Sequence, residues 1–150
     1  MSTFMRVGGA LAAGILVSAM AAGTASADGG AIPMNSEQEA PGAVSDGSGF
    51  FSYTVSGSTL CYTLEVRQLT SAPVAAHIHI APRHVAGPVV VPLATPAAAT
   101  GTVSACITAA DGGALTPAEL AAITADPRAY YVNVHTPQWP AGEVRGQLKK

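Results

Sequence analysis

The chain has four histidines, and two of them stand two residues apart in His77-Ile78-His79. Side chains alternate faces along a strand, so both imidazoles point one way while Ile78 and Ile80 point the other. Such a pair is half of a metal site, or a hydrogen-bonding pair. His135 closes the segment Tyr130-Tyr131-Val132-Asn133-Val134-His135, where it shares a face with Tyr131 and Asn133. Three imidazoles suit copper or zinc, and redox chemistry at such a site would require copper. Gly142 to Leu148 reads as a last strand with Glu143, Arg145 and Gln147 on its polar face. If the last two strands form a hairpin, His135 lies near Glu143, and Asn133 near Arg145. Glu143 would then orient His135 from behind, and Arg145 would attract an anion.

A plainer reading uses the same side chains. His77 and His79 could hydrogen-bond to Asn133, Glu143 or Arg145 as a polar ladder holding strands in register, with Glu143 and Arg145 as an ion pair. Residue types alone favour the ladder, because H-x-H plus one distant histidine is a weak signal. His84, beside Arg83, reads as a solvated loop residue. Tyr131 and Trp139 are candidates for sugar-stacking platforms, although one Trp in a Pro-rich turn more often caps a core. No Ser/His/Asp set, phosphate loop or catalytic carboxylate pair occurs, so the reading leans away from an enzyme.

Around these residues the chain reads as short strands. Ala31-Ile32-Pro33-Met34 is expected as an edge strand, where Pro is tolerated, and residues 35–49 as a long polar connection. Phe51, Tyr53 and Val55 share one face of the next strand, which ends at a Gly57-Ser58 turn. Leu60, Tyr62, Leu64 and Val66 share a face of another, and Val103, Ala105 and Ile107 of a third. Val89 to Leu93 is a continuous apolar run between two prolines. Thr116-Pro117-Ala118-Glu119 is a helix start, with a capping Thr, Pro at the first helical position and Glu three residues on. That helix should stop before Asp126-Pro127.

The first 27 residues are expected to be a cleaved export signal: Arg6, an apolar run from Val7 to Ala22, then Ala25-Ser26-Ala27 as cleavage site. The remaining chain carries six basic and nine acidic residues, a formal charge of −3. It has no basic run, which argues against nucleic acid, and no membrane span is expected in it. About 120 residues make one domain. In an exported chain the two cysteines, Cys61 and Cys106, are expected to form a disulfide. Both fall on polar strand faces, which fits a bridge between neighbouring strands outside the core. It would close a loop of about 46 residues, worth on the order of 4 kcal/mol.

Four segments together carry a resemblance: Ala76-His77-Ile78-His79, Gly87 to Leu93, Tyr131 to Thr136 and Gly142 to Leu148. With Ser36 to Pro41 and Gly47-Ser48-Gly49, they make residues Ala31 to Leu148 resemble the CHRD (chordin-type) domain family. Ile80 departs from it, because the family usually turns with Gly-Pro after the second His; His84 is not a family position. The resemblance implies an immunoglobulin-type sandwich with a remote likeness to copper–zinc superoxide dismutase and no general activity. By that likeness His77, His79 and His135 match copper ligands and Arg145 an active-site arginine, while the zinc subsite is missing.

The expectation is therefore an all-β protein. It is an immunoglobulin-like or dismutase-like Greek-key β-sandwich of seven or eight strands with one short helix. The domain spans 31–148, after a signal peptide (1–27) and a short tail (28–30). The expected function is a secreted, non-catalytic binding or structural module for an extracellular protein or surface ligand. The alternative is a copper-binding, copper-only dismutase-like protein using His77, His79 and His135, with Asn133, Glu143 and Arg145 clustered beside them.

Overall fold

Alternating apolar residues set the strands. In β2 (Ser48–Ser56) Phe51, Tyr53 and Val55 are buried, and in β3 (Thr59–Arg67) so are Leu60, Tyr62, Leu64 and Val66. The two form a hairpin through Gly57, whose φ of 57° suits glycine at the turn. The computed structural model describes residues 27–150. Its other strands are β1 (Ala27–Asn35), β4 (Ala75–Ile80), β5 (Val89–Leu93), β6 (Gly101–Thr108), β7 (Tyr130–His135) and β8 (Val144–Gln147).

All eight strands pair antiparallel in the order β5-β4-β7-β8-β1-β2-β3-β6. The sheet curls, so that residues of β2 and β3 share one core with residues of β4, β7 and β8. The expected all-β fold with one short helix is what the chain adopts. β7 and β8, late in the sequence, insert between β4 and β1 and join the two halves of the sheet.

Helix α1 (Pro117–Ala125) starts at the Thr116 cap. The Thr116 hydroxyl accepts from the Glu119 backbone N–H, while the Glu119 carboxylate accepts from the Thr116 N–H. Leu120 and Ile123 bury its inner side. Cys61 and Cys106 are direct cross-strand partners on β3 and β6 and form a disulfide, with Cα atoms 4.0 Å apart. Cys106 is exposed, so the bridge lies outside the core as expected.

Some expectations change. β1 is an interior strand, paired along its length with β2 and at Asn35 with Arg145 of β8. Pro33 fits there because β1 meets β8 at that one register pair, leaving little ladder for Pro33 to interrupt. Asp28 and Gly29, expected in a tail, extend β1 opposite Thr54 and Tyr53. Ile80 shares a face with buried Ile78 yet is 41% exposed, because it sits at the end of β4, beyond the core. The expected signal segment lies outside the described residues, apart from Ala27 at the start of β1.

Candidate metal centre

The face of β4, β7 and β8 opposite the core is also covered, and every residue of β7 and β8 is buried. Loops 36–47, 81–88 and 136–142 lie over it and turn an expected polar surface into a second interior. The register brings His77 opposite Asn133 and Asn133 opposite Arg145, as the hairpin expectation required. It also sets His79 opposite Tyr131, and Ala75 opposite His135.

His77, His79 and His135 converge. One nitrogen from each ring lies within 4.8 Å of the other two. The backbone decides which nitrogens these are. His79 Nδ1 lies 2.8 Å from the Gly87 carbonyl and His135 Nδ1 lies 3.0 Å from that of Pro140. A carbonyl only accepts, so both Nδ1 atoms carry protons and both Nε2 atoms present lone pairs. His77 Nδ1 sits 3.1 Å from His135 Nε2 and donates to it. His79 Nε2 is buried with no hydrogen-bond partner, and so is Asn133 Oδ1. Unpartnered buried acceptors cost on the order of 1–3 kcal/mol each.

Burial holds all three imidazoles below the usual 6.5 of histidine. The neighbouring rings push His77 and His135 further down, while the Gly87 and Pro140 carbonyls oppose the shift at His79 and His135. The cluster is neutral at pH 7, the state in which imidazole ligates.

Glu143 is not where sequence reasoning put it. Its carboxylate points away from His135 and accepts from Ser45 Oγ (2.6 Å), Thr70 N–H (2.8 Å), Thr70 Oγ1 (2.8 Å) and Thr136 Oγ1 (2.6 Å). Burial acts to raise this carboxyl, but the four donors outweigh it and keep the group below the usual carboxylate range. Glu143 thus ties together the loops at Ser45 and Thr70 and the start of the loop that carries Pro140. Its link to His135 runs through backbone rather than a direct bond.

Arg145 does not pair with Glu143. Its guanidinium, 1% exposed, donates to the carbonyls of Val85 and Pro82 at 2.8 Å and to Gln147 Oε1 at 3.3 Å. It also lies 3.4 Å from the centroid of the Tyr131 ring. His79 stacks on the same ring, 4.8 Å away and within 6° of parallel. β7 lies between β4 and β8, so His79 and Arg145 approach Tyr131 from opposite sides. Tyr131 is therefore a buried spacer with no surface left for a sugar. Its hydroxyl accepts from the Gly87 N–H at 3.2 Å, so the two ends of the Gly87 peptide are held by Tyr131 and His79. A Cβ on Gly87 would fall 2.0 Å from the Ile80 carbonyl, which restricts the position to glycine.

Two residues in this region escaped the sequence reading. Glu39, in a Ser/Glu/Pro stretch that looks solvated, is 5% exposed and packs against Gly142. Burial raises its carboxyl to about 7, against the attraction of Arg145 and the amide of Asn133. Gly87 stood out only as the first residue of a segment that resembles the family. His84 is exposed at φ 59° and is not part of the histidine cluster. Trp139 is half-buried in the loop after β7, its indole nitrogen buried without a partner.

Comparison with known proteins gives one match, to the family described as the CHRD domain, over residues 31–148. No curated protein and no solved structure matches the chain.

Proposed function

The chain belongs to the CHRD domain family, and from that premise we propose that it is an exported, non-catalytic module that binds a transition metal, copper above others, through His77, His79 and His135. The observation that carries this is the set of three neutral imidazoles, with the Nε2 of His79 buried, aimed into the cluster and unpartnered. The donor set fits. Two ligands each about 2 Å from one ion lie at most about 4 Å apart, and the three nitrogens, within 4.8 Å of one another with no ion between them, come near that limit. The backbone carbonyls behind His79 and His135 fix tautomer and orientation, as such partners do in metal sites.

His77 takes the one adjustment. It gives up its hydrogen bond to His135 and adopts the tautomer with the proton on Nε2, which frees Nδ1. An all-nitrogen site favours copper over zinc by intrinsic affinity, and three protein ligands leave a position open. Bound copper would bring one-electron redox capacity. His77, the most exposed of the three, places that open side toward solvent. Arg145 reaches loop carbonyls and Asn133 Oδ1 has no partner, so neither occupies the Nε2 of His79 as the polar ladder would. Export is supported by the Arg6-to-Ala27 segment and suits a disulfide-bonded domain.

Copper(II) added to metal-free protein should bind one equivalent with a nitrogen-rich EPR signal, and His79→Ala should abolish it. Sub-stoichiometric uptake that His79→Ala leaves unchanged would refute the assignment.

A further inference from the structure

We infer that the molecule carries a preformed oxyanion-binding cleft, built by Arg83, Arg128 and Lys149, for a ligand bearing phosphate or sulfate groups. These three cations are far apart in sequence, and no basic run announces them. The fold collects them around one cleft of about 400 Å³, floored by Gln147 and Leu148. A second cleft of about 480 Å³ shares Arg83, Gln147 and Lys149 and adds His84, Gln38 and one acid, Glu37.

Three observations make this more than a scatter of surface charge. First, the cations lack partners: the one salt bridge among the described residues is Arg67–Glu65, on another part of the surface. Three of the six basic residues that follow the expected signal therefore share a cleft, unneutralised, in a chain of net negative charge. Second, their backbones are anchored to one strand. The side-chain amide of Gln147 donates to the carbonyl of Ala81 at 2.9 Å and to that of Arg128 at 2.8 Å. One buried amide thus holds the segments bearing both arginines. Arg145 pins the first segment again at Pro82 and Val85, on either side of Arg83 and His84. The Lys149 carbonyl accepts from the Tyr53 hydroxyl at 3.1 Å. Third, the buried guanidinium of Arg145 donates to the carbonyl of Pro82, the residue before Arg83, so a further cation lies behind that segment.

Arginine forks match the oxygens of phosphate and sulfate, and fixed backbones reduce the entropy lost on binding. This cleft is separate from the histidine cluster, and the inference does not depend on metal binding.

The test is an amide NMR titration of the mature, disulfide-bonded protein at constant ionic strength. Inorganic phosphate is one arm, a trisulfated disaccharide the second and sodium chloride the control. Saturable shifts at residues 81–85, 127–129 and 147–149, absent with chloride, are expected. Tighter binding in one arm assigns the ligand to phosphate esters or to sulfated sugars. Each of Arg83→Gln and Arg128→Gln should weaken binding about tenfold. Arg67→Gln removes the same charge elsewhere and should change it less than twofold. Both arginines of the cleft are exposed, so unchanged melting would show that the fold is retained. Shifts that do not saturate, or an equal loss in Arg67→Gln, would overturn the inference.

Discussion

Replacing Glu39 by glutamine should make the protein more stable at neutral pH, although the residue is buried and close to an arginine. The carboxyl has moved from 4.5 to about 7 because burial disfavours its charge more than Arg145 and Asn133 favour it. A folded-state value above the unfolded one means that the native protein holds the proton more tightly. Stability is then greatest below about pH 4.5 and falls as pH rises toward 7. At about 1.4 kcal/mol per pH unit the whole displacement is worth about 3 kcal/mol. Glutamine has the shape of the protonated acid and never ionises. Wild-type protein and Glu39→Gln should therefore match within about 1 kcal/mol at pH 4.5 and diverge to about 3 kcal/mol by pH 8. Denaturant melts every half unit of pH, with chelator present to keep metal out, measure this difference. The three histidines and Glu143, all shifted down, impose the opposite slope, but they do so in both proteins and cancel. A difference that stays flat from pH 4.5 to 8, or is largest at the acid end, would refute the reasoning.

Two further outcomes follow from the geometry. Gly87→Ala should push the Gly87 peptide off the Ile80 carbonyl and away from His79 Nδ1. A competitive chelator titration should then show copper affinity at least tenfold lower, in the range expected for lost support behind a ligand. Reducing Cys61–Cys106, or replacing both with serine, should lower unfolding free energy by about 2–4 kcal/mol in denaturant melts, the amount expected for a loop spanning 45 residues.

The strands, the capped helix, the disulfide and the convergence of His77, His79 and His135 could be read from the chain, because alternation carries the register. What could not be read lies in loops. Glu143 and Arg145 were assigned to each other by proximity on one strand, yet each found its partners in other segments. Four donors from Ser45, Thr70 and Thr136 serve the first, and two carbonyls and a tyrosine ring the second. Those donors follow no period. Glu39 was invisible for a related reason: a Glu in a polar stretch reads as solvated until loop 36–47 folds over the sheet. Tyr131 alternated correctly, but its polar face proved to be an interior. Pro33 signalled an edge, and the strand became interior because its contact with β8 is nearly a single pair.

The strand order has a kinetic side. β1, β2 and β3 pair in succession and β6 returns to β3 from beyond β4 and β5, which form a separate hairpin. Neither set pairs with the other. Strand pairing joins them only through β7 and β8, which fill the gap between β4 and β1. His77 and His79 can adopt their strand early, from local contacts, but His135 arrives with the segment that also completes the sheet. Joining the halves closes loops of high sequence separation, the slow part of β folding. The three imidazoles therefore come together only with the strand pairing that completes the sheet.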